Sequence, residues 1–329
     1  MNILIIGAAG MVGRKLTAAL LGQGTLRNKT ITRLDLVDVA RPPAPEALNV
    51  EVVTQAADIS DPKTAERLIA SPPDVIFHLA AIVSGEAELD FEKGYAVNLD
   101  GIRYLLEAIR QASKHESYCP RFVFTSSIAV FGAPFPDKIT DDFFQTPRTS
   151  YSTQKAIGEL LLSDYSRRGF VDGVGIRLPT ICIRPGAPNK AASGFFSSIL
   201  REPLVGQSAV LPVDPSARHW HASPRAAVRF LVHAAQMDTA ALGTRRSLNM
   251  PGLSATVGEQ IEALRRVAGN KAVSLIRYEH DPMIAEMVEG WAKDFDTSRA
   301  LALGFVAETS FDEIIRIHIE DELGGEVRT

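Results

Sequence analysis

The chain opens with Asn2-Ile-Leu-Ile-Ile6, which runs directly into Gly7-Ala-Ala-Gly10-Met-Val-Gly13. A short, continuous apolar run is typical of a strand that is buried on both faces. Leu16, Leu20 and Leu21 then recur at helical spacing. A strand, a glycine turn and a helix in this order can bind a dinucleotide, because backbone N–H groups and the helix N-terminus face the pyrophosphate. A tight turn without a ligand would fit the same pattern; the nucleotide contacts we predict are Gly7, Gly10, Met11, Val12 and Gly13.

Further strand patterns follow, and they alternate with helical patterns. They cover residues 31–37, 50–53, 75–79, 122–125 and 174–178. Such alternation is typical of an α/β protein with a doubly wound, Rossmann-type parallel sheet. We therefore assign residues 1–180 to a dinucleotide-binding domain and expect residues 223–250 to pack back on it.

Residues 181–222 break this alternation and are rich in Pro, Gly and Ser. Such a composition is typical of a segment that covers a substrate. Beyond it, short strands are predicted at 247–250 and 273–276, among helices at 224–236, 256–268, 282–289, 297–303 and 311–323. We expect residues 181–222 and 251–329 to form a smaller C-terminal α/β region that binds the substrate.

An acidic residue at the end of the second strand indicates which dinucleotide is bound. Asp38 ends this strand, where a carboxylate can accept both adenosine ribose hydroxyls and repel the 2′-phosphate of NADP. The pattern therefore favours NAD. Asp35 competes for the role because strand boundaries are uncertain by a few residues, and Asp38 is preferred because it ends the apolar segment.

Other candidates follow the later strands, since ligands of an open parallel sheet bind beyond the carboxyl ends of its strands. His78 has apolar neighbours and is interpreted as a packing residue rather than an acid–base group. A hydroxyl of the pair Ser126-Ser127 could hold a substrate alcohol, or merely cap the next turn, and Ser84 is expected to face the cleft. Asn98 is predicted to open a long helix. The further cofactor contacts predicted are Asp58, Ile59, Leu79, Ala80, Ala81 and Asn98.

Tyr151 and Lys155 lie four residues apart in Tyr-Ser-Thr-Gln-Lys. In a helix both side chains emerge on one face. Ionising a tyrosine at neutral pH needs a shift of about three units, or about 4 kcal/mol. One ammonium at about 4 Å supplies a gross attraction of that size at an effective dielectric near 20. The pair could thus form a general base for an alcohol, although such pairs are also common on solvated helix faces.

The composition excludes several classes of protein. A net charge of −4 leaves no electrostatic footprint for nucleic acid or an anionic membrane. Cys119 and Cys182 stand outside any C-x-x-C or Cys/His cluster, so no zinc site or disulfide framework is indicated. No apolar run is long enough to cross a membrane, and a strand that starts at Asn2 leaves no room for a signal peptide. We expect a cytoplasmic enzyme.

Together these motifs resemble the extended short-chain dehydrogenase/reductase family, also called the NAD-dependent epimerase/dehydratase family. The residues that carry the resemblance are Gly7-x-x-Gly10-x-x-Gly13, His78-Leu-Ala-Ala81, Asn98-Leu-Asp-Gly101, Ser126-Ser-x-x-Val-Phe-Gly132, Tyr151-x-x-x-Lys155, Arg177-Leu-Pro-Thr180 and Phe295-Asp-x-Ser-Arg299. Each motif alone is weak, but their order and spacing are specific.

The resemblance implies roles for individual residues. Tyr151 matches the family's general base, Lys155 the residue that lowers the pKa of that tyrosine and binds the nicotinamide ribose, and Ser127 the hydroxyl that positions the substrate. Thr180 matches the segment that meets the carboxamide. A homodimer formed through the helices of Asn98 and Tyr151 is also implied.

The segment Arg218-His-Trp-His-Ala222 departs from the pattern of family members that act on nucleotide sugars. Those members carry acidic residues after the arginine that binds the diphosphate, and this segment has no such acidic residues. Arg218, with Ser193, is thereby free to bind a smaller anion, and an arginine suits a carboxylate bidentately. The stretches Ile82–Glu88 and Arg184–Ser193 resemble the D-erythronate dehydrogenase subfamily, whose members oxidise C2 of a four-carbon sugar acid.

Two hypotheses follow. The first is NAD-dependent oxidation of the C2 hydroxyl of a small aldonate, D-erythronate to 2-oxo-tetronate. The second is a nucleotide-sugar epimerase or dehydratase that regenerates a tightly held NAD. The substrate-binding residues predicted for the first are Ser84, Ser126, Ser127, Tyr151, Ser193 and Arg218.

Overall fold

A computed structural model of the chain describes residues 1–46, 49–114, 117–186 and 192–328. The strands are β1 Asn2–Ile6, β2 Thr25–Leu26, β3 Lys29–Thr30, β4 Arg33–Asp38, β5 Glu51–Ala56, β6 Val75–His78, β7 Arg121–Ser127, β8 Asp172–Leu178, β9 Thr180–Ile181, β10 Ala209–Leu211, β11 Arg218–Ala222, β12 Ser247–Asn249, β13 Leu253–Thr256 and β14 Ile276–Tyr278. The helices are α1 Met11–Gln23, α2 Pro62–Ile69, α3 Ser84–Leu89, α4 Phe91–Tyr95, α5 Gly101–Ala112, α6 Ser150–Arg167, α7 Phe195–Leu204, α8 Pro224–Gln236, α9 Val257–Val273, α10 Pro282–Glu289, α11 Ser298–Ala302 and α12 Phe311–Leu323.

Seven strands form one parallel sheet in the order β12-β8-β7-β6-β1-β4-β5. The chain starts in the middle at β1, builds one side with β4 and β5, and returns to build the other side from β6. Ile6 is in register with Val37 and His78, so the carboxyl ends of three strands meet where the strand order reverses. This topological switch point is where ligands of such sheets bind, and the predicted doubly wound fold is confirmed.

Helices cover both faces of the sheet because alternate residues of each strand point to opposite sides. On β1, Ile3 and Ile5 belong to the apolar core that contains α1 and α8. Leu4 and Ile6 belong to the core that contains α2, α5 and α6. All four side chains are buried, as predicted from the continuous apolar run.

A second set of elements forms its own core outside the seven-stranded sheet. It comprises the sheets β13-β11-β9 and β10-β14, together with α7, α9, α10 and α12, around a separate apolar core. The strand predicted at 273–276 is present but begins later, as β14 Ile276–Tyr278. Val273 still belongs to α9, whose Ala272 is buried in this core. Within 181–222, which was predicted only as a covering segment, the structure has α7, β10 and β11.

Candidate active site

The glycine turn between β1 and α1 contains two glycines that the backbone packing requires and one that leaves space for a ligand. Gly7 has φ +93°, and a Cβ built there would lie 2.6 Å from the backbone nitrogen of Ala80. A Cβ on Gly13 would lie 2.3 Å from the carbonyl oxygen of Gly7. Gly10 is exposed, and a Cβ there would meet only that same oxygen, at 3.4 Å. The backbone at Gly10 is therefore open to a ligand.

The first turn of α1 has the properties of an anion site. Met11 and Val12 begin the helix, no side chain caps it, and no acidic residue lies in its first turn. Its free N–H groups and the positive end of the helix dipole suit a pyrophosphate. Together with the open side of Gly10, these residues fit a dinucleotide.

The carboxylate of Asp38 lies beside this turn. It accepts hydrogen bonds from the backbone nitrogens of Ala9 at 3.0 Å and Val39 at 2.7 Å. Asp35 instead forms a bidentate pair with Arg33, at 2.8 and 2.9 Å. Asp38 is thus the carboxylate that lies against the glycine turn, while Asp35 is paired with Arg33 inside the strand.

Two further predicted contacts lie at the end of β5. The exposed carboxylate of Asp58 accepts hydrogen bonds from the nitrogen and hydroxyl of Ser60. Ile59 is buried against Gly101, where a Cβ would lie only 2.9 Å from its side chain. The side chain of Ile59 thus packs against α5, the carboxylate of Asp58 is bound within the turn, and the cofactor contacts of both residues stay predictions.

Asn98 holds the loop after β6 in place. Its carboxamide accepts from the nitrogen of Ile82 at 2.9 Å, donates to the carbonyl of Ile82 at 3.2 Å, and donates to Gln154 at 2.8 Å. The loop residues Leu79 and Ala80 are tied to β1 through the carbonyl of Ile6. The prediction that Asn98 opens a helix is wrong. It lies in the π-helical turn Ala96–Asp100 that continues from α4, and this turn points its side chain at the loop.

Tyr151 and Lys155 lie at the start of α6, on the sheet side of the helix. Thr149 caps the helix by accepting from the nitrogen of Ser152. The ammonium of Lys155 lies 5.8 Å from the centre of the Tyr151 ring and donates to the carbonyl of Thr125 at 2.8 Å. Burial lowers the pKa of Lys155 to about 8, opposed by the charge of Glu159.

The pKa of Tyr151 is raised above its usual value, chiefly by burial. A hydrogen bond with Ser127 and the positive charge of Arg184 oppose this rise. Burial thus opposes the phenolate expected from the tyrosine–lysine spacing, and the ammonium of Lys155 makes its hydrogen bond with the carbonyl of Thr125. A further cation, such as an oxidised nicotinamide, would shift the balance toward ionisation.

The two adjacent serines of β7 face opposite sides of the strand. Ser126 is 3 % exposed and donates to the carboxylate of Glu159, which also accepts from Gln145 at 2.6 Å and from Arg177 at 2.8 Å. Ser127 is half-buried, its oxygen caps the next turn by accepting from the nitrogen of Ala129 at 3.1 Å, and its hydroxyl opposes the rise in the pKa of Tyr151. The substrate contact predicted for Ser126 thus needs correction, since its hydroxyl is bound in a buried ion network away from the phenol.

Thr180 is oriented by a buried histidine. His219 Nδ1 lies 3.0 Å from the carbonyl of Ala292, which can only accept, so this nitrogen carries the proton. Burial lowers the pKa of His219 to about 4, so the ring is neutral and Nε2 is an acceptor. The hydroxyl of Thr180, 2.7 Å away, must then donate to it. The oxygen of Thr180 is left as an acceptor, which suits the amide of a nicotinamide.

The remaining predicted substrate residues lie apart from one another. Ser84 is the first residue of α3 and is half-buried. Ser193 accepts a hydrogen bond from the guanidinium of Arg184 at 2.7 Å. Arg218 begins β11, donates to the carbonyl of Ser254 at 2.9 Å and pairs with Glu259 at 3.3 Å.

Three residues at the site were not predicted from the sequence, namely Glu159, Arg184 and His219. Glu159 follows Tyr151 and Lys155 at the same four-residue spacing, so helix periodicity could have indicated it. Arg184 and His219 meet the site only through the tertiary structure.

Known proteins can now be compared with this arrangement. A model of the NAD dependent epimerase/dehydratase family matches residues 3–242. The chain belongs to this family. A D-erythronate dehydrogenase from Cupriavidus necator is 49 % identical over 98 % of both chains. Another from Haemophilus influenzae is 42 % identical over 98 % of this chain and all of its own. A crystal structure described as a nucleoside-diphosphate-sugar epimerase from Agrobacterium tumefaciens is 67 % identical, with a TM-score of 0.97 over 99 % of this chain and 95 % of that one.

Other kinds of site find little support in the described ranges. No group of three His, Cys, Asp or Glu residues there could hold a metal ion. No described helix is long and apolar enough to cross a membrane. A cavity of about 500 Å³ lies away from Tyr151, between α1 and α8. Its cations Lys15, Arg225 and Arg229 are paired with carboxylates, so it offers no free charge to a ligand.

Proposed function

We propose that this protein oxidises the C2 hydroxyl of a small aldonate, converting D-erythronate to 2-oxo-tetronate with NAD. The observation that carries the proposal is the grouping of Ser127, Tyr151 and Lys155 at the carboxyl end of β7, on the edge of the sheet that also carries a glycine turn that fits a dinucleotide. The substrate class is supported by two relatives named D-erythronate dehydrogenase, 49 % and 42 % identical over nearly the whole chain.

Each side chain of the proposed site has its own role in the reaction. Ser127 orients the C2 hydroxyl toward Tyr151, whose phenolate removes the hydroxyl proton and passes it to solvent. Lys155 stabilises the phenolate and would hold the nicotinamide ribose. Asp38, Gly10 and the first turn of α1 would hold the adenosine and pyrophosphate portions, and Thr180 would accept from the carboxamide. NAD, when bound, would accept the hydride that leaves C2.

A nucleotide-sugar epimerase is the second candidate, favoured by the description of the 67 % identical crystal structure. The chemistry at Tyr151 would be the same, but the cofactor would be regenerated in each turnover. The two functions therefore differ in whether NADH accumulates.

The test is NADH absorbance after wild-type protein is mixed with NAD and a panel of four- to six-carbon aldonates, uronates and free sugars. We expect stoichiometric NADH from D-erythronate and much less with NADP, since Asp38 opposes a 2′-phosphate. A Tyr151→Phe variant should bind NAD and produce no NADH. Absence of NADH with every acid, together with cofactor that co-purifies with the protein, would favour the epimerase.

We further propose that residues 1–180 and 223–250 form the NAD-binding domain, and residues 181–222 and 251–329 the substrate-binding region. The separate apolar core around α7, α9 and α12 supports this division.

We also propose that the protein is a homodimer in the cytoplasm. The exposed side chains Leu89, Phe91 and Leu160 lie on α3, α4 and α6, which pack together. Light scattering that gives a monomer mass would refute the dimer.

A further inference from the structure

Hydrogen bonds of its backbone and side chain hold Arg184 next to the end of β9. Its own nitrogen donates to Ser197 at 3.0 Å, and its carbonyl accepts from Arg201 at 2.7 Å. Its Nε donates to the carbonyl of Ile181 on β9 at 3.1 Å. The guanidinium is thereby anchored next to Thr180, at the edge of the sheet where Tyr151 lies, and its charge acts on the phenol.

The acceptors around this guanidinium carry no charge. They are the carbonyl of Ile181, and the carbonyl and hydroxyl of Ser193 at 3.2 and 2.7 Å. Within the described ranges no carboxylate lies within 4.0 Å of Arg184, and the sequence of residues 187–191 contains no Asp or Glu. The neighbouring Arg201 adds a second positive charge, although it pairs with Glu202.

Other shielded arginines of the chain do have carboxylate partners. Arg121 pairs with Asp172 at 2.8 Å, and Arg177 pairs with Glu159 at the same distance. Arg299 lies 3.4 Å from Asp141. A partly buried guanidinium without a counter-ion is costly, because water is removed and no opposite charge replaces it. Arg184 departs from this pattern, and it does so beside the reacting group.

We propose that Arg184 binds the carboxylate of the substrate and makes the site selective for sugar acids. The inference rests on the proposed function and gives it a specific residue. Nε and Nη2 are bound to the protein, and no described residue accepts a hydrogen bond from Nη1, so this edge of the guanidinium can take an anion. Arg218, the arginine predicted from the sequence, is already bound to Ser254 and Glu259, so it is the weaker candidate.

The experiment compares Arg184→Met, Arg184→Lys and Arg218→Met with wild type. For Arg184→Met we expect the KM for D-erythronate to rise about 30- to 5000-fold, the range for truncating one partner of a desolvated charge pair. The KM for NAD should stay within about threefold, and Arg184→Lys should fall between, since a lysine keeps the charge but loses the fork. Arg265→Met on the exposed side of α9 is the matched control and should behave as wild type.

A binding measurement separates this inference from the proposed function. D-erythronate and erythritol differ in whether one end is a carboxylate or an alcohol. In thermal unfolding of the NAD complex, D-erythronate should stabilise wild type but not Arg184→Met, and erythritol should not distinguish the two. Wild type that binds D-erythronate through Arg184 but makes no NADH would refute the proposed function alone. Equal KM and equal stabilisation in Arg184→Met, or their loss in Arg218→Met instead, would overturn the assignment of Arg184.

Discussion

Substituting the glycines of the first turn one at a time should separate the needs of the fold from those of the cofactor. Gly7→Ala and Gly13→Ala place a methyl group 2.6 and 2.3 Å from backbone atoms, which cannot move without shifting β6 or the turn itself. Gly10→Ala places it in ordinary contact with the carbonyl oxygen of Gly7 at 3.4 Å, on a backbone with φ −68° and ψ 164° that any residue can adopt.

The magnitudes follow from these contacts. Over-packing against fixed backbone costs about 1–3 kcal/mol, and Gly7 adds about 1–2 kcal/mol because its φ is positive. Gly10→Ala should change the free energy of unfolding by less than about 1 kcal/mol, since alanine at a compatible glycine position restricts only the unfolded chain. The same methyl group would crowd a bound pyrophosphate, and over-packing of that size raises the Kd for NAD about 5- to 150-fold.

The assay is urea unfolding of all three variants beside calorimetric titration with NAD. We expect Gly10→Ala to be as stable as wild type but to bind NAD weakly. Gly7→Ala and Gly13→Ala should be less stable than wild type even without the cofactor. Normal NAD affinity in Gly10→Ala would refute the argument that this glycine exists for the ligand. A loss of stability equal to that of Gly13→Ala would refute it as well.

Three more substitutions test the site and its charges. Ser127→Ala should lower kcat about 100-fold or more, as for loss of one oriented donor. Ser126→Ala should keep its activity but lose about 1–3 kcal/mol of stability, because a buried carboxylate loses a hydrogen-bond donor. Equal kinetics in the two variants would contradict this expectation. Lys155 has a pKa of about 8 in the folded protein, whereas in the unfolded chain this lysine keeps its proton up to about pH 10.4. The stability of wild type relative to Lys155→Met should therefore rise by about 3 kcal/mol between these pH values. A difference in urea unfolding that does not change with pH would refute the shift. The pKa of His78 is lowered to about 3 by burial and by Lys155, so wild type should lose stability relative to His78→Phe by about 1.4 kcal/mol per pH unit as pH falls below about 6.5. No such trend would mean that the imidazole has a partner when charged.

Local spacing was sufficient for much of the fold and part of the site. The strand, glycine turn and helix at residues 2–23 need only neighbours in the chain, and so does the placement of Tyr151 and Lys155 on one helical face. His78 was interpreted correctly as a packing residue between Phe122 and Phe124, although neither ring nitrogen has a partner in the part of the chain that the structure describes.

What the tertiary structure alone decided were choices between similar residues. Ser126 and Ser127 exchange faces with a shift of one residue in a strand, because side chains alternate with a period of two. Asp35 and Asp38 were distinguished by the arginine that reaches one of them and the glycine turn that lies against the other. Arg184 was distinguished from Arg218 by which of them has a carboxylate partner from a distant element. A sequence shows which side chains carry charge, but whether a charge is neutralised depends on residues far away in the chain that packing brings within a few ångströms.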